Sequence, residues 1–341
     1  MSASVIGRGA DRTHQRRGAR PRERVRSLAS SGLTAGRRAR YTLGIVACIL
    51  PVLWAWQVLL VWGIPDGDLQ DPWGDAITYL SAGERLNAGH PLYELQPGDR
   101  PVLILSTYTV PLLSPPPIAT IWRPLAAAPF GFVLWIAACW LALLGSVWFL
   151  VVRIGLPAAV LAAVLSWPIG EQLAAANVSA FIPALLLITW IHRGDARLGA
   201  VLGALAAIKL SPAVMGGWWV GQHRGRGVLS FLMGSAVLAA LGLWGAGWDA
   251  HVAYLGIAGT TAPSDLSIAG RLGAPWFPFV SLVVGTAIAG ALGRYPRLSF
   301  TVAYGAMLVA TPAVYVATFS LLIGFLVPFV DRARGRETAA P

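Results

Sequence analysis

Runs of apolar residues long enough to cross a lipid bilayer dominate this chain. A helix needs about 20 consecutive apolar residues to span the hydrocarbon core, and such runs recur from Tyr41 to the end of the sequence. Hydrophobic residues make up 56% of the 341 residues and charged residues only 12%, which excludes an ordinary soluble domain. We therefore predict an all-α, polytopic transmembrane protein with a single membrane domain at residues 41–330, embedded in a lipid bilayer.

The first 40 residues are strongly basic, with eleven arginines against Asp11 and Glu23. A basic stretch of this kind can bind nucleic acid. When it directly precedes a membrane span, however, it is typical of a disordered cytoplasmic tail that fixes the topology and contacts anionic headgroups. We favour that interpretation for residues 1–40 and expect no nucleic-acid partner. Residues 331–341 are predicted to be a second cytoplasmic tail.

Short arginine-rich turns predict the topology, because they favour the cytoplasmic side. They are Arg153 and residues 192–197, 223–226, 294–297 and 332–336. They fit about ten transmembrane helices in the cell inner (plasma) membrane, with both termini in the cytoplasm. The predicted spans are 41–64, 131–152, 154–169, 172–191, 198–209, 211–220, 228–248, 276–292, 298–310 and 313–330. Residues 108–129 contain six prolines and are predicted to be re-entrant or to lie on the extracytoplasmic surface. Several spans are too short to cross unaided, which favours a water-filled cavity that opens to the outside.

This topology gives two extracytoplasmic loops, at residues 65–130 and 249–275, and acids outnumber basic residues in the first. Within it, residues 75–86 are predicted to form a short helix with Asp75 as its N-cap and Tyr79 on the same face. A carboxylate one turn before a tyrosine suits a site that binds hydroxyl groups, and the helix N-terminus keeps the carboxylate ionised. An N-cap aspartate without a further role is the alternative.

Lys209 is the only lysine of the sequence, and it lies in an apolar hairpin. An ammonium group at mid-membrane costs about 3 kcal/mol on insertion scales, so Lys209 needs a partner. Either it pairs with Glu171 or snorkels to the surface, or it binds a phosphate group together with Arg271 and Arg123. Taken alone, Arg123 fits a snorkelling residue at the interface better.

Two further polar residues, Gln172 and Asn177, lie at the predicted outer ends of spans. Side-chain amides there either form hydrogen bonds between helices or contact a sugar. No cluster of metal ligands has a convincing spacing, and Asp71 with Asp75 is the one pair that could hold a divalent ion. We therefore predict a site that needs neither a metal nor another cofactor.

Two motifs of the first loop, Asp75-x-x-x-Tyr79-x-x-Ala82 and Gly89-His90-Pro91-Leu92-Tyr93, resemble the first-loop signature of glycosyltransferase family 87. Further pieces similar to motifs of that family follow in order, so that the resemblance covers about residues 71–330. They are Ser114-Pro115-Pro116 with Arg123-Pro124-Leu125, residues 170–177, Lys209-Leu210-Ser211-Pro212 and, more weakly, Ser267 with Arg271 and Thr311-Pro312 with Tyr315. The family comprises polyprenyl-phosphate-dependent mannosyltransferases of the GT-C fold, typical of actinobacteria.

The resemblance implies a GT-C-like fold in which the first extracytoplasmic loop supplies a catalytic carboxylate. Asp75 would be the general base that takes the proton of the acceptor hydroxyl, with inversion at the anomeric carbon. Lys209 and Arg271 would stabilise the departing lipid phosphate. The remaining candidates for substrate binding are Tyr79, Gln172, Asn177 and Arg123.

The implied substrates are a polyprenyl-phosphate sugar donor, with mannose as the sugar, and a glycolipid or cell-envelope glycan acceptor on the extracytoplasmic side. A membrane transporter or lipid flippase without glycosyl transfer is the alternative, since such proteins also use broken helices and intramembrane cations. The sequence contains no inverted repeat, which disfavours a transporter. A catalytically inactive relative would carry the same motifs.

Overall fold

The computed structural model describes residues 20–62, 73–95, 97, 102–104, 108–110, 112–260 and 263–330. Within these residues the chain is almost entirely helical, which confirms the predicted helical fold. The exception is an antiparallel hairpin of two short strands, Val102–Ile104 (β1) and Tyr108–Val110 (β2), in which Val102 lies opposite Val110. The hairpin belongs to the first predicted extracytoplasmic loop, and the sequence analysis does not predict it.

Twelve α-helices and four 3₁₀ helices make up the described part of the chain. The α-helices are α1 (Arg20–Trp62), α2 (Gly74–Asn87), α3 (Pro116–Ala127), α4 (Gly131–Ile154), α5 (Leu156–Val164), α6 (Ser166–Ala175), α7 (Phe181–Ile191), α8 (Gly199–Ile208), α9 (Met215–Thr260), α10 (Ile268–Arg271), α11 (Phe277–Ala291) and α12 (Pro296–Val309). The 3₁₀ helices are Val178–Ala180, Ala196–Leu198, Ser211–Val214 and Val316–Phe329.

Few of these helices are long enough to cross a bilayer on their own. Three stretches of the described residues qualify by length and composition, Gly36–Val61, Gly131–Ile154 and Gly225–Ala258. The pair α5 and α6, bent by 63°, adds a fourth if it counts as one span. The prediction of about ten spans is therefore not confirmed. Several predicted spans correspond to shorter apolar stretches such as Val178–Ile191 and Ala196–Ile208, because polar residues and prolines interrupt the helices.

The longest helix, α9, reverses its direction within its 46 residues. The Phe231 ring comes within 2.9 Å of the position that a Cβ atom on Gly216 would occupy, although a straight α-helix would separate these residues by ~22 Å. The reversal agrees with the arginine-rich turn predicted at residues 223–226. A second break follows at Gly247, whose φ of 82° is left-handed, and helical structure then continues to Thr260, inside the second predicted loop.

The tail and the proline-rich segment also differ in detail from the sequence-based prediction. Because α1 begins at Arg20, residues 20–40 are helical where a disordered tail was predicted; residues 1–19 and 331–341 lie outside the described residues. The proline-rich segment contains α3, whose 12 residues extend about 18 Å. This helix is too short to cross a bilayer on its own, as are several helices in predicted spans, so that the placement of residues 108–129 outside the bilayer stays a prediction.

An aromatic cluster attaches α2 to the helices beneath it. The ring centroid of Tyr79 lies 6.3 Å from that of Trp122 in α3 and 5.9 Å from that of Trp135 in α4. The rings of Trp122 and Trp135 lie 5.1 Å apart, and all three side chains are buried. Each such aromatic side chain buries about 150–250 Å². The cluster therefore holds α2, with Asp75 in its first turn, against α3 and α4.

Candidate active site

Asp75 lies in the first turn of α2, directly after Gly74. The N-cap of this helix is Trp73, which has a left-handed conformation with a φ of 65°, and no side chain forms a capping hydrogen bond. The prediction that Asp75 is the N-cap is therefore wrong, because Trp73 starts the helix two residues earlier. The Asp75 carboxylate has no capping role and is available to groups from other helices.

A chain of hydrogen bonds joins Asp75 to Lys209 through Asn177 and Ser179. The Asn177 side chain forms a hydrogen bond with the Asp75 carboxylate, and Asn177 Oδ1 accepts one from the Ser179 backbone N–H at 2.7 Å. Lys209 Nζ donates to Ser179 Oγ at 2.6 Å. The buried Gln172 supports the chain, since its Nε2 donates to the Asn177 carbonyl oxygen at 3.2 Å. Four predicted site residues thus meet in one cluster.

Breaks in the helical backbone present Asn177 and Lys209 to this cluster. After α6, Ala176 is left-handed with a φ of 49°, and Asn177 then caps the 3₁₀ helix Val178–Ala180. Lys209 follows α8 in an extended conformation. Ala176 and Trp73 are the two non-glycine residues with positive φ in the described part of the chain. Such strained positions concentrate at functional sites, and here both flank the same cluster.

Protein atoms surround the side chains of Asp75 and Lys209, yet each residue keeps an accessible surface. The two charged groups therefore lie in a closely packed cluster whose residues stay partly exposed. Burial raises the pKa of the Asp75 carboxyl above its ordinary value, while the hydrogen bond from Asn177 and the positive charge of Lys209 act in the opposite direction. A carboxylate with a raised pKa is a stronger base than an exposed aspartate, and the nearby ammonium group can bind an anion.

Tyr79 lies one turn beyond Asp75 and is only 1% exposed. Its hydroxyl interacts with the Ser114 side chain and the Val178 backbone, although neither contact has the geometry of a standard hydrogen bond within the described residues. Burial and the charge of Asp75 raise the pKa of Tyr79 well above its ordinary value, so the hydroxyl keeps its proton.

The two arginines predicted to bind phosphate with Lys209 lie elsewhere. Arg123 Nε donates to Asn87 Oδ1 at 3.2 Å and Nη1 donates to the Gly245 carbonyl at 3.0 Å, so Arg123 connects α2, α3 and α9. Arg271 ends the short helix α10, and its side chain is exposed. In the described part of the chain, neither arginine has a hydrogen bond or ion pair to Lys209. The structure therefore does not bring these arginines into the Asp75 cluster.

Glu171 is not the partner of Lys209 either. Its carboxylate forms hydrogen bonds with the Trp167 side chain and the Ala317 backbone, whereas Lys209 donates to Ser179. The pairing of Lys209 with Glu171, one of the alternatives left open by the sequence, is therefore not realised.

Three residues near the cluster are absent from the predicted site: Ser179, Ser114 and Tyr315. Ser179 anchors Lys209, Ser114 lies beside Tyr79, and Tyr315 lies close enough to Asp75 for the charges to interact. The sequence signals only the turn, because an asparagine side chain often accepts a hydrogen bond from the backbone N–H two residues on. Ser114 and Tyr315 belong to motifs that resemble those of the family, but the neighbouring sequence gives no sign that either residue lies near Asp75.

The cluster lies at the ends of α7 and α8 that point away from the arginine-rich turns. Asn177 precedes α7 and Arg193 follows it, while Arg197 precedes α8 and Lys209 follows it. In the turn between these helices Arg197 binds Asp195 at 2.7 Å, and this hydrogen bonding lowers the pKa of Asp195 to about 2. Helices of 11 and 10 residues extend about 15–17 Å. Measured along these helices, the cluster is therefore separated from the arginine-rich turns by about half the thickness of a bilayer's hydrocarbon core.

Within the described residues, no group of three or more histidine, cysteine, aspartate or glutamate side chains is positioned to hold a metal ion. Asp71, the possible partner of Asp75 for a divalent ion, lies outside the described residues. The expectation of a site without a metal therefore stays a prediction.

Comparison with known proteins supplies the family. The model of glycosyltransferase family 87 matches residues 113–329, which is more than half of the chain and includes Asn177 and Lys209. Asp75 and Tyr79 precede the matched range. No curated protein and no solved structure matches the chain. The length of the family match decides the assignment, and the chain belongs to glycosyltransferase family 87.

Proposed function

We propose that the protein is an inverting glycosyltransferase that moves mannose from a polyprenyl-phosphate donor to a glycolipid or cell-envelope glycan acceptor. The family membership supports glycosyl transfer. The observation that supports this donor and mechanism is the chain of hydrogen bonds that links Asp75 to Lys209 within one cluster. These two side chains supply a base and a phosphate-binding cation, the two groups that displacement of a lipid phosphate requires.

Asp75 acts as the general base. As the acceptor hydroxyl attacks the anomeric carbon, its proton passes to the Asp75 carboxylate. The raised pKa of Asp75 brings its basicity closer to neutral pH, where a general base is most effective. Because a single displacement needs one carboxylate and no covalent intermediate, the configuration at the anomeric carbon inverts.

Lys209 stabilises the leaving group. When the bond between the anomeric carbon and the phosphate oxygen breaks, negative charge grows on the lipid phosphate. The Lys209 ammonium, held in position by Ser179 Oγ at 2.6 Å, interacts with this charge in a site where solvent screening is weak. The interaction is stronger in the transition state than with the bound donor, and it therefore accelerates the reaction.

The site faces the extracytoplasmic side of the plasma membrane, and both termini are cytoplasmic. This orientation follows from the arginine-rich turns at the other ends of α7 and α8, since such turns favour the cytoplasm. The position of the cluster, at the ends of apolar helices, suits a donor whose polyprenyl chain stays in hydrocarbon while its phosphate reaches Lys209. It also favours a lipid-linked donor over a soluble nucleotide sugar.

The proposal is tested by mannosyl transfer in proteoliposomes that contain the full chain, polyprenyl-phosphomannose and an extract of envelope glycolipids. Mannosylated product and released polyprenyl phosphate are both measured. We expect Asp75→Asn to lower the rate by about 10²–10⁴-fold, because an amide cannot take the proton. Asp249→Asn, which changes an exposed acid of α9, is the matched control and should leave the rate unchanged.

Each component of the proposal has its own contradicting result. Transfer at the wild-type rate by Asp75→Asn contradicts the role of Asp75. Use of a polyprenyl-phosphate arabinofuranose donor in place of the mannose donor contradicts the choice of sugar only. Lipid or sugar movement across the bilayer without release of polyprenyl phosphate would identify a transporter or flippase instead.

A further inference from the structure

Tyr315 places a partly exposed aromatic ring at the Asp75 cluster. It is the N-cap residue of the last 3₁₀ helix, Val316–Phe329, and its backbone is extended. The negative charge of Asp75 acts on the Tyr315 hydroxyl, although protein atoms surround the Asp75 side chain. Tyr315 itself is 41% exposed. Its side chain therefore borders the cluster while part of its surface stays open.

The open surface distinguishes Tyr315 from the aromatic side chains that pack beneath Asp75. Tyr79, Trp122 and Trp135 are buried and lie against one another, with ring centroids 5.1–6.3 Å apart. Their faces are occupied by packing, whereas Tyr315 keeps accessible aromatic surface next to polar groups. A sugar has C–H groups on the faces of its ring and hydroxyl groups around the edge. The C–H groups of a sugar suit the electron-rich face of an aromatic ring.

Hydrogen bonds fix the backbone on both sides of Tyr315. Ser264, in the second predicted loop, donates from Oγ to the Val314 carbonyl at 3.0 Å and accepts from the Val314 N–H at 2.9 Å. Its own backbone N–H donates to the Pro312 carbonyl at 3.0 Å. On the other side, the Tyr315 N–H donates to Thr318 Oγ1 at 3.1 Å. Tyr315 is therefore held in place, as a residue that binds a ligand needs to be.

Two consecutive residues of α6 connect the last 3₁₀ helix to the turn that holds Asp75. The Glu171 carboxylate accepts a hydrogen bond from the Ala317 backbone N–H, in the first turn of that 3₁₀ helix. The next residue, Gln172, donates to the Asn177 carbonyl at 3.2 Å, and the Asn177 side chain binds Asp75. The start of the last helix and the carboxylate are therefore fixed by the same part of α6.

We propose that the Tyr315 ring stacks against the sugar of the acceptor and holds it beside Asp75. This assignment rests on the proposed function, in which Asp75 takes the proton of the acceptor hydroxyl and Lys209 binds the donor phosphate. Because the acceptor hydroxyl has to reach the carboxylate, an open aromatic surface next to that carboxylate contacts the acceptor. Stacking occupies a face of the sugar and leaves the hydroxyl groups at its edge free to reach Asp75.

The test measures binding of radiolabelled octyl α-mannoside to the full chain in lipid nanodiscs, without donor and with empty nanodiscs as the background. We expect Tyr315→Ala to weaken binding about three- to tenfold, the range for one aromatic contact. Tyr315→Phe keeps the ring and should stay within about twofold of the wild type. Tyr295→Ala is the matched control, because Tyr295 is an N-cap tyrosine at the other end of α12 and is 50% exposed. It should leave binding unchanged.

Four results would overturn the proposal. They are absence of probe binding by the wild type, wild-type binding by Tyr315→Ala, an equal loss in Tyr295→Ala, and a loss in Tyr315→Phe as large as that in Tyr315→Ala. An equal loss in the control would identify both tyrosines as anchors in the membrane interface. An equal loss in Tyr315→Phe would identify the hydroxyl, and not the ring, as the contact. If Tyr315→Ala does not fold, Tyr315→Leu takes its place, because it keeps apolar volume without a flat face.

Transfer kinetics separate this proposal from the proposed function. With the envelope glycolipid extract as acceptor, Tyr315→Ala should raise the apparent KM for the extract and leave the KM for polyprenyl-phosphomannose unchanged. An equal rise of both KM values would overturn the assignment of Tyr315 to the acceptor. Transfer at the wild-type rate by Asp75→Asn would contradict the role of Asp75 only, since binding of octyl α-mannoside at Tyr315 is measured without any reaction.

Discussion

Lys209 Nζ lies 2.6 Å from Ser179 Oγ although 30 residues separate them in the chain. Each residue follows a helix that stops short of a full membrane span, and the two breaks face one another. Because Asn177 caps the first break and also bonds to Asp75, the same turn positions both the carboxylate and the ammonium group. Polar groups at such breaks are tolerated in a membrane domain only where they line a cavity or find partners.

Ser179 is therefore expected to act as a positioning residue for Lys209. Ser179→Ala removes the acceptor at Oγ and lets the ammonium move, which should lower kcat about tenfold or more with little change in the KM of the acceptor. Ser179→Thr keeps a hydroxyl and should restore most of the rate. Kinetics of the two variants on purified full chain check this, and equal losses in both would instead indicate a packing role.

The pH dependence of the rate should report the environment of Asp75. Burial raises the pKa of this carboxyl and the Lys209 charge opposes the shift. The rate is therefore expected to fall, as the pH decreases, at a pH above the ordinary titration of aspartate. Lys209→Met removes the opposing charge, so the acid limb of its residual activity should move to higher pH. An acid limb at the same pH in wild type and variant would contradict the coupling.

The raised pKa of Asp75 should also make the free energy of unfolding depend on pH. The folded state binds the Asp75 proton more tightly than the unfolded chain does, because burial disfavours the charged form. The free energy of unfolding should therefore decrease as the pH rises from the ordinary to the raised pKa of Asp75 and stay low above it. Asp75→Asn, always neutral, should raise the melting temperature at neutral pH by about 2–4 °C. A lower melting temperature would show that the carboxylate stabilises the fold.

Asp75, Asn177 and Lys209 could be predicted from the sequence to lie close together. Each is a polar residue next to apolar sequence, near the predicted outer end of a span. Such interruptions are unfavourable unless they share a cavity. The position of Asp75 within its helix was predicted wrongly, since nothing in the sequence indicates that Trp73 adopts a left-handed conformation. The predicted number of about ten spans is not confirmed, because apolar composition does not reveal how soon a helix stops.

The contacts of Arg123 and Arg271 could not be predicted from the sequence. Arg123 and Arg271 are cations in the predicted outer loops, and their charge alone suggested phosphate binding beside Lys209. Which groups a long side chain reaches depends on helices distant in sequence: Arg123 contacts Gly245 across 122 positions, whereas Arg271 is exposed. The turn at residues 223–226 was predicted better, because a run of basic residues within apolar sequence has few other places to lie.

Arg123 should therefore contribute to stability more than to catalysis. Its guanidinium donates to Asn87 Oδ1 at 3.2 Å and to the Gly245 carbonyl at 3.0 Å, while Asn87 Nδ2 donates back to the Arg123 carbonyl at 2.9 Å. Arg123→Met and Asn87→Ala are each expected to cost about 1 kcal/mol of unfolding free energy. Their effects should be less than additive in the double variant, since both remove the same contact.

The KM for the lipid donor should not change in Arg123→Met or in Asn87→Ala, because Arg123 has no bond to Asp75 or Lys209 within the described residues. Denaturation of the three variants checks the expected loss of stability, and transfer kinetics check the unchanged KM. A raised KM at unchanged stability would instead show that Arg123 binds the substrate.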